Sequence, residues 1–237
     1  MPNATVCLPT YNEAANIEPM LRALEPLGVR VLVIDDNSPD GTGEIADRLA
    51  AELGFVSVLH RGRKEGLGPA YVAGFRRALE DGAELVLEMD CDFSHDPADV
   101  PRLIAACEDG GDLALGSRYV PGGGTENWGR GRRFVSNGGS WYARTILSVD
   151  IRDLTGGFKC YRRRVLETID LAAVRSKGYA FQIETTYRAL KAGFTVAEVP
   201  IHFADRTEGH SKMSRSIVLE AIVRVPALRF EAMTGRL

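Results

Sequence analysis

Along the first half of the chain, short apolar runs without a polar face alternate with longer stretches whose apolar residues recur every three or four positions. The short runs are 5–8, 29–34, 55–59, 85–89 and 113–116. Runs that are apolar on both sides suit parallel strands covered by helices on each face. Pro9 is expected to end the first strand, because it has no N–H to give to a ladder. Between the runs, Ile17, Leu21, Leu24 and Leu27, then Ile45, Leu49 and Leu53, follow helical spacing, as do 70–79 and 100–107. Asn12 or Asn16 can cap the first helix, and Pro97 suits the first turn of the fourth. This alternation predicts a doubly wound α/β fold, a mostly parallel sheet with helices on both faces.

The second half opens with a Gly-rich loop over 121–131 (PGGGTENWGRG), too long for a tight turn. Helices are expected at 133–148, 180–192 and 214–230, and a strand at 195–200. With no repeat or linker visible, the organisation reads as a catalytic domain over 1–213 and a C-terminal amphipathic helix over 214–237. In that helix Ile217, Ala221, Val225, Leu228 and Ala232 form an apolar stripe, widened by Val218 and Ile222. Glu220, Arg224 and Glu231 fall opposite it, and Pro226 is expected to kink or end its first part. The stripe either packs on the domain or lies in a membrane interface.

Charge sharpens the second option. The chain carries −3 overall, which argues against a nucleic-acid partner. Residues 206–237 hold six Lys/Arg against three acids, so that segment is +3 and the rest is −6. Basic residues on such a helix favour anionic lipid. No stretch is apolar enough to span a bilayer, and the N-terminus lacks the basic and apolar regions of a secretion signal. Cys7, Cys91, Cys107 and Cys160 are scattered with no CxxC pair, as in a reduced cytoplasmic protein. A cytoplasmic protein, peripheral on the cytoplasmic face of a membrane, is the expectation.

Ligands of open α/β sheets bind beyond the carboxyl ends of the strands. Polar clusters follow four of the strands: Pro9-Thr10-Tyr11-Asn12-Glu13, Asp35-Asp36-Asn37-Ser38-Pro39-Asp40-Gly41-Thr42, Asp90-Cys91-Asp92 and Gly116-Ser117-Arg118-Tyr119. One would be an ordinary turn; four on one edge read as a site. There is no GxxxxGK[ST], and Gly66-Leu67-Gly68-Pro69-Ala70-Tyr71 has Tyr where GxGxxG needs its last glycine. Phosphates bound here would therefore need a cation. Asp90 and Asp92, two carboxylates past a buried strand, can hold a hard divalent ion, Mg²⁺ or Mn²⁺. The histidines 60, 95, 202 and 210 form no metal-spaced set.

These clusters, with Asp-x-Asp-Phe-Ser-His at 90–95, Asp153-Leu154-Thr155-Gly156-Gly157-Phe158-Lys159-Cys160-Tyr161-Arg162, Gly178-Tyr179-Ala180-Phe181-Gln182-Ile183-Glu184 and Asp205-Arg206 with Ser211-Lys212, resemble family-two glycosyltransferases of the GT-A fold. The resemblance spans about 4–230 and is similar to the dolichyl- or polyprenyl-phosphate mannose synthase branch. It implies transfer of mannose from GDP-mannose to a polyprenyl monophosphate with inversion. Pro9, Tyr11, Glu13, Val33 and Asp35 would line the guanosine pocket. Asp90 and Asp92 would face metal and diphosphate, with Cys91 near the sugar. Arg118, Arg206 and Lys212 would meet phosphates, and Arg132 the lipid phosphate. Asp92, Arg118 and Arg132 are the expected catalytic set. Ser94 stands where relatives can have a Gln metal ligand, so Ser94, His95 or water would complete the set. The competing reading is a polyprenyl-phosphate glucose synthase using UDP-glucose. A membrane surface or a membrane-anchoring partner is implied in either case.

Overall fold

A computed structural model describes residues 3–126, 128–176, 178–204 and 215–237 of the chain. Its frame is a seven-stranded sheet in the order β3-β2-β1-β4-β7-β5-β8. The strands are β1 (Ala4–Thr10), β2 (Arg30–Asp35), β3 (Val56–His60), β4 (Leu85–Glu88), β5 (Leu113–Ser117), β7 (Lys159–Arg162) and β8 (Val196–Pro200). A two-stranded ribbon joins β6 (Gly124–Thr125) to β9 (His202–Phe203). The helices are α1 (Ile17–Leu24), α2 (Thr42–Leu53), α3 (Leu67–Glu80), α4 (Val100–Glu108), α5 (Arg130–Leu147), α6 (Arg163–Thr168), α7 (Tyr179–Lys191) and α8 (Arg215–Met233).

Strands β1, β2, β4 and β5 are buried between two helix layers, as their lack of a polar face predicts, but β3 at the sheet edge exposes Ser57 and His60. On one side Leu8, Val31 and Leu87 pack with Met20 and Leu21 of α1 and Leu103 of α4. On the other Cys7, Ile34 and Val86 pack with Tyr71 and Phe75 of α3 and Phe181 of α7. Every neighbouring pair is parallel except those of β7, which runs antiparallel between β4 and β5. Sequence pattern had not marked 159–162 as a strand. It has two charged residues in four, and Lys159 is nonetheless fully buried.

Pro9 does not end β1, which runs on to Thr10. The ladder to β4 stops at Cys7–Glu88, so past that point only β2 flanks the strand and the missing N–H leaves no neighbour unsatisfied. Pro226 does not end α8 either, which continues to Met233. The bond a proline removes is to the carbonyl four residues back, and the Tyr142 hydroxyl of α5 donates to that Ile222 carbonyl at 2.9 Å.

Of the expected stripe, Val225 and Leu228 are fully buried against Ala143 and Leu147 of α5 and Ile183 and Tyr187 of α7, with Ala232 packed beside them, whereas Ile222 is turned outward and the side chains of Ile217 and Val218 lie outside the described residues. Two residues of the polar side, Arg224 and Glu231, are drawn into ion pairs. Arg224 bonds Glu184 of α7 at 2.9 Å and Glu231 at 2.6 Å. Burial alone would raise the Glu184 carboxyl, but bonds from Arg224 and Ser176 and the charge of Arg188 outweigh it and hold it below the ordinary range. What remains outside is a third face, Ile222, Val223, Phe230 and Met233, the last two 61% and 74% exposed. Trp141 of the adjoining α5 is 66% exposed. Among the described residues no helix is long and apolar enough to cross a membrane.

Candidate active site

The carboxyl ends of β1, β2, β4 and β5 lie on one sheet edge, and each hands on to a polar loop. Three of these loops contain a non-glycine residue in the left-handed backbone region: Asn12 (φ 60°), Asn37 (φ 58°) and Phe93 (φ 58°). Asn tolerates this conformation; Phe does so at a cost, which surrounding structure must impose. That strain is not readable from sequence, and it concentrates where the four clusters converge.

At the first two loops a hydrogen-bond net fixes the backbone. Asp35 is buried; its carboxylate accepts from the Ser38 hydroxyl at 2.6 Å and amide at 3.1 Å, and from the Thr10 hydroxyl at 3.2 Å. Asp40 accepts from the Thr42 amide at the start of α2 and from the Ala14 amide, both at 3.1 Å. The Thr42 hydroxyl in turn accepts from the Glu13 amide at 2.9 Å. Pro9, Tyr11 and Glu13 stay half-exposed on the rim, with the Lys64 ammonium 3.8 Å from the Tyr11 ring centroid. Val33 is not brought to this edge: its side chain is fully enclosed in the core, so it can support the pocket only from behind.

At the end of β4 the chain bends sharply. Asp92 Oδ1 accepts from the Ser94 amide at 3.0 Å, closing a short Asx turn. Asp90 is half-buried, and the Tyr71 hydroxyl lies 3.4 Å from its Oδ1. The Asp90 amide donates to His95 Nδ1 at 3.3 Å. His95 is itself sandwiched, stacked 4.9 Å from Phe158 and edge-on to Phe203 at 5.2 Å. It therefore holds the bend. The Ser94 hydroxyl is buried with no hydrogen-bond partner among the described residues. Two carboxylates and an orphaned hydroxyl at alternate positions are an all-oxygen set, which fits a small hard cation. Cys91, between them, is buried. Among the described residues no group of three or more His, Cys, Asp or Glu could hold a metal.

Arg118, past the end of β5, is held on all sides. Asp153 accepts from its Nε and Nη2 at 2.6 Å each and from its amide at 3.0 Å. The Thr155 hydroxyl takes a further bond at 2.9 Å. The rings of Tyr119, Phe203 and Trp128 stand 5.2, 5.4 and 5.5 Å from the guanidinium carbon. Asp153 is placed by Glu198 of β8, whose carboxylate accepts from the Asp153 amide, the Arg152 amide and the Ser117 hydroxyl at 3.1, 2.9 and 2.7 Å. The Gly-rich loop closes on the same strand end: a Cβ at Gly123 would lie 2.5 Å from the Ser117 carbonyl, so only glycine fits. Trp128 is buried in this cluster and is a packing residue. Asp153, Glu198 and Phe203 were assigned no role from sequence. Asp153 and Phe158 lie in a run that had been matched as a motif, but pairing across 35 residues has no local signal.

Below the edge lies a second buried net. Lys159 donates to Gln182 Oε1 at 2.6 Å, to the Gln182 carbonyl at 2.9 Å and to Thr185 at 3.2 Å. Burial lowers its ammonium to about 8, with Glu88 and Asp153 opposing. Tyr161 joins Glu88 (2.8 Å) to Thr185 (3.1 Å), and burial raises the Glu88 carboxyl. Three expected site residues stand apart from this picture. Arg132 lies in the first turn of α5, and its side chain is outside the described residues. Arg206 and Lys212 fall in 205–214, also outside them.

Comparison with known proteins gives the family and the fold. Residues 5–170 match the family model Glycosyl transferase family 2. The chain is 50% identical over 223 residues to a polyprenol monophosphomannose synthase of Mycolicibacterium smegmatis, covering 93% of this chain and 84% of that protein. It is 47% identical over 236 residues to an undecaprenyl-phosphate mannosyltransferase of Micrococcus luteus, covering 97% of each. Among solved structures it is similar to a mannosyltransferase from Pyrobaculum calidifontis in complex with GDP-Man and Mn²⁺, with a TM-score of 0.61 at 16% identity over 99% of this chain and 74% of that one. It is also similar to GalNAc-T7 with UDP, GalNAc and Mn²⁺, with a TM-score of 0.63 at 15% identity over 95% of this chain and 47% of that one. At such identities these structures speak for the fold, which is GT-A. The chain belongs to glycosyl transferase family 2.

Proposed function

We propose that this protein transfers mannose from GDP-mannose to the phosphate of a polyprenyl monophosphate, releasing GDP and inverting the anomeric centre. The observation that carries the reading is the convergence, on one edge of a GT-A sheet, of the strained Asp90–Asp92 bend and a caged Arg118. The mannosyl and polyprenyl parts are supported by relatives at about half identity that carry those names.

Asp35, Tyr11, Glu13 and Pro9 receive the nucleoside, with the Asp35 carboxylate locked by Ser38 and Thr10 so that its position is set before binding. Asp90 and Asp92 would hold a Mg²⁺ or Mn²⁺ ion, with the Ser94 hydroxyl as a further protein oxygen, and the chemistry it would supply there is neutralisation of the diphosphate's charge. The acceptor phosphate monoester, with a second pKa of about 6, is dianionic at neutral pH and needs no strong base. It needs positioning beside another anion, and Arg118, its Nε and Nη2 fixed by Asp153, supplies a cation held in one place. Arg132, Arg206 and Lys212 join as phosphate contacts.

The membrane enters through the acceptor. Ile222, Val223, Phe230 and Met233 on α8, with Trp141 on α5, form the face laid on the lipid surface that holds the polyprenyl chain. The deciding experiment supplies radiolabelled GDP-mannose, UDP-glucose or GDP-glucose with polyprenyl phosphate and Mg²⁺ or Mn²⁺, and counts label in the lipid phase. Label from GDP-mannose alone is expected; label from UDP-glucose instead would replace the mannosyl reading by the glucosyl one.

A further inference from the structure

At the far end of α8 from the 205–214 segment, the helix closes over the turn before α7 and leaves a cavity of about 340 Å³. Its walls are Ala173, Arg175, Arg188, Phe230, Glu231 and Arg236. Arg188 forms a buried floor, its Nε and Nη2 bonded to Glu184 at 3.1 and 3.0 Å and its Nη2 also to the Ala173 carbonyl at 3.2 Å. Those bonds fix the guanidinium in place. Glu184 and Glu231 are shared with Arg224. The walls carry three guanidiniums (175, 188 and 236) and one carboxylate, Glu231, and with Arg224 and Glu184 bonded behind them the group has an excess of two positive charges. The Arg175 and Arg236 side chains make no ion pair or hydrogen bond with a described residue, and both are exposed at the rim.

The rim has a second character. Phe230 lines the cavity and also belongs to the exposed apolar face of α8, with Met233 three residues on and Val223 two turns back. A ligand suited to this place has an anionic head for the arginines and an apolar body continuing past Phe230. We propose that the cavity binds the phosphate of an anionic membrane lipid, at a site separate from the Asp90–Asp92 edge, and thereby sets how α8 lies on the bilayer. Forked guanidiniums suit a phosphate better than ammonium groups do, so the site reads the phosphate and not charge alone. The proposal deepens the reading of α8 as a membrane-facing helix, and it does not depend on which sugar is transferred.

The test uses the full chain without GDP-mannose or acceptor, so failure of the transfer reaction cannot mimic failure of the site. Sedimentation is measured with vesicles of phosphatidylcholine alone and of phosphatidylcholine with phosphatidylglycerol. Wild type is expected to prefer the anionic vesicles, and R175Q/R236Q to weaken that binding by about tenfold or more. R175K/R236K keeps the charge and is expected to lose most of the same preference; binding equal to wild type would mean diffuse attraction and overturn the site. Both positions are exposed, and unchanged circular dichroism and melting temperature confirm that the variants fold. Inorganic phosphate, titrated by calorimetry, separates the sources. Saturable phosphate binding lost in R175K/R236K, together with no preference for anionic vesicles, would assign the cavity to a free anion and overturn the lipid reading.

Discussion

Replacing Asp153 by Asn tests whether Arg118 works because it is aimed. Asp153 is fully buried and takes three bonds from Arg118, two of them at 2.6 Å. Asn keeps one acceptor oxygen, but its amide group turns N–H toward N–H on the other side. Arg118, walled by Tyr119, Phe203 and Trp128, cannot recover those bonds from water without moving. Leaving one partner of a buried pair uncompensated costs about 3–5 kcal/mol. Asn retains part of the geometry, so a loss of about 3 kcal/mol in denaturant unfolding is expected. A displacement of about 1 Å at a positioned group costs about 100-fold in rate, so kcat for lipid mannosylation should fall by about that factor while the KM for GDP-mannose changes far less.

A merely structural role predicts the stability loss as well, so a second variant separates the two. Arg118→Met with Asp153→Leu replaces the ion pair by apolar groups of similar size, which is often neutral or stabilising. Stability should return and turnover should not. Turnover returning with stability, or Asp153→Asn retaining near wild-type kcat in a folded protein, would refute the assignment of Arg118 to a phosphate.

Asp90→Asn and Asp92→Asn should each abolish transfer and leave the melting temperature within a few degrees, since both lie beyond the sheet; EDTA should do the same, and activity persisting in chelator would remove the metal. Val223→Glu with Phe230→Glu should weaken vesicle binding and raise the KM for long-chain acceptors, with GDP-mannose affinity unchanged; unchanged vesicle sedimentation would take that face off the membrane. Leu228→Ala, at a fully buried contact between α8 and the domain, should cost about 2–5 kcal/mol, read by denaturant unfolding. The Glu184 carboxyl is lowered in the fold despite its burial, because Arg224, Ser176 and Arg188 stabilise the ionised form. The unfolded chain therefore binds more protons near its ordinary value, and the contribution is complete above about pH 5 and lost as pH falls below it. Arg224→Gln should flatten the acid limb of a melting-temperature profile below about pH 5; an unchanged limb would show that the α7–α8 ion cluster contributes nothing there.

The parts of this protein that the sequence declares are those whose cause is local. Strands β1, β2, β4 and β5 are visible because their runs are apolar on both faces, and α1 to α4 because their core stripes keep helical spacing, whereas β3, at the sheet edge, exposes Ser57 and His60. The four loops at the sheet edge are visible for the same reason: each begins where an apolar run stops. What stays hidden is set by partners far along the chain. Strand β7 carries Lys159 in the middle of the sheet, and Gln182 and Thr185, more than 20 residues later, with the charges of Glu88 and Asp153, make that burial tolerable. Pro226 reads as a helix breaker until Tyr142, 80 residues earlier, satisfies the carbonyl it leaves behind. The stripe on α8 is legible as apolar, but helical spacing cannot say which of two apolar faces meets the domain. The choice follows from Arg224, which reaches Glu184 on α7 and so rotates Val225 and Leu228 inward and Val223, Phe230 and Met233 out. With Val225 and Leu228 packed inward and Arg224 paired to Glu184, the second apolar face of α8 is exposed beside the arginines at 175 and 236.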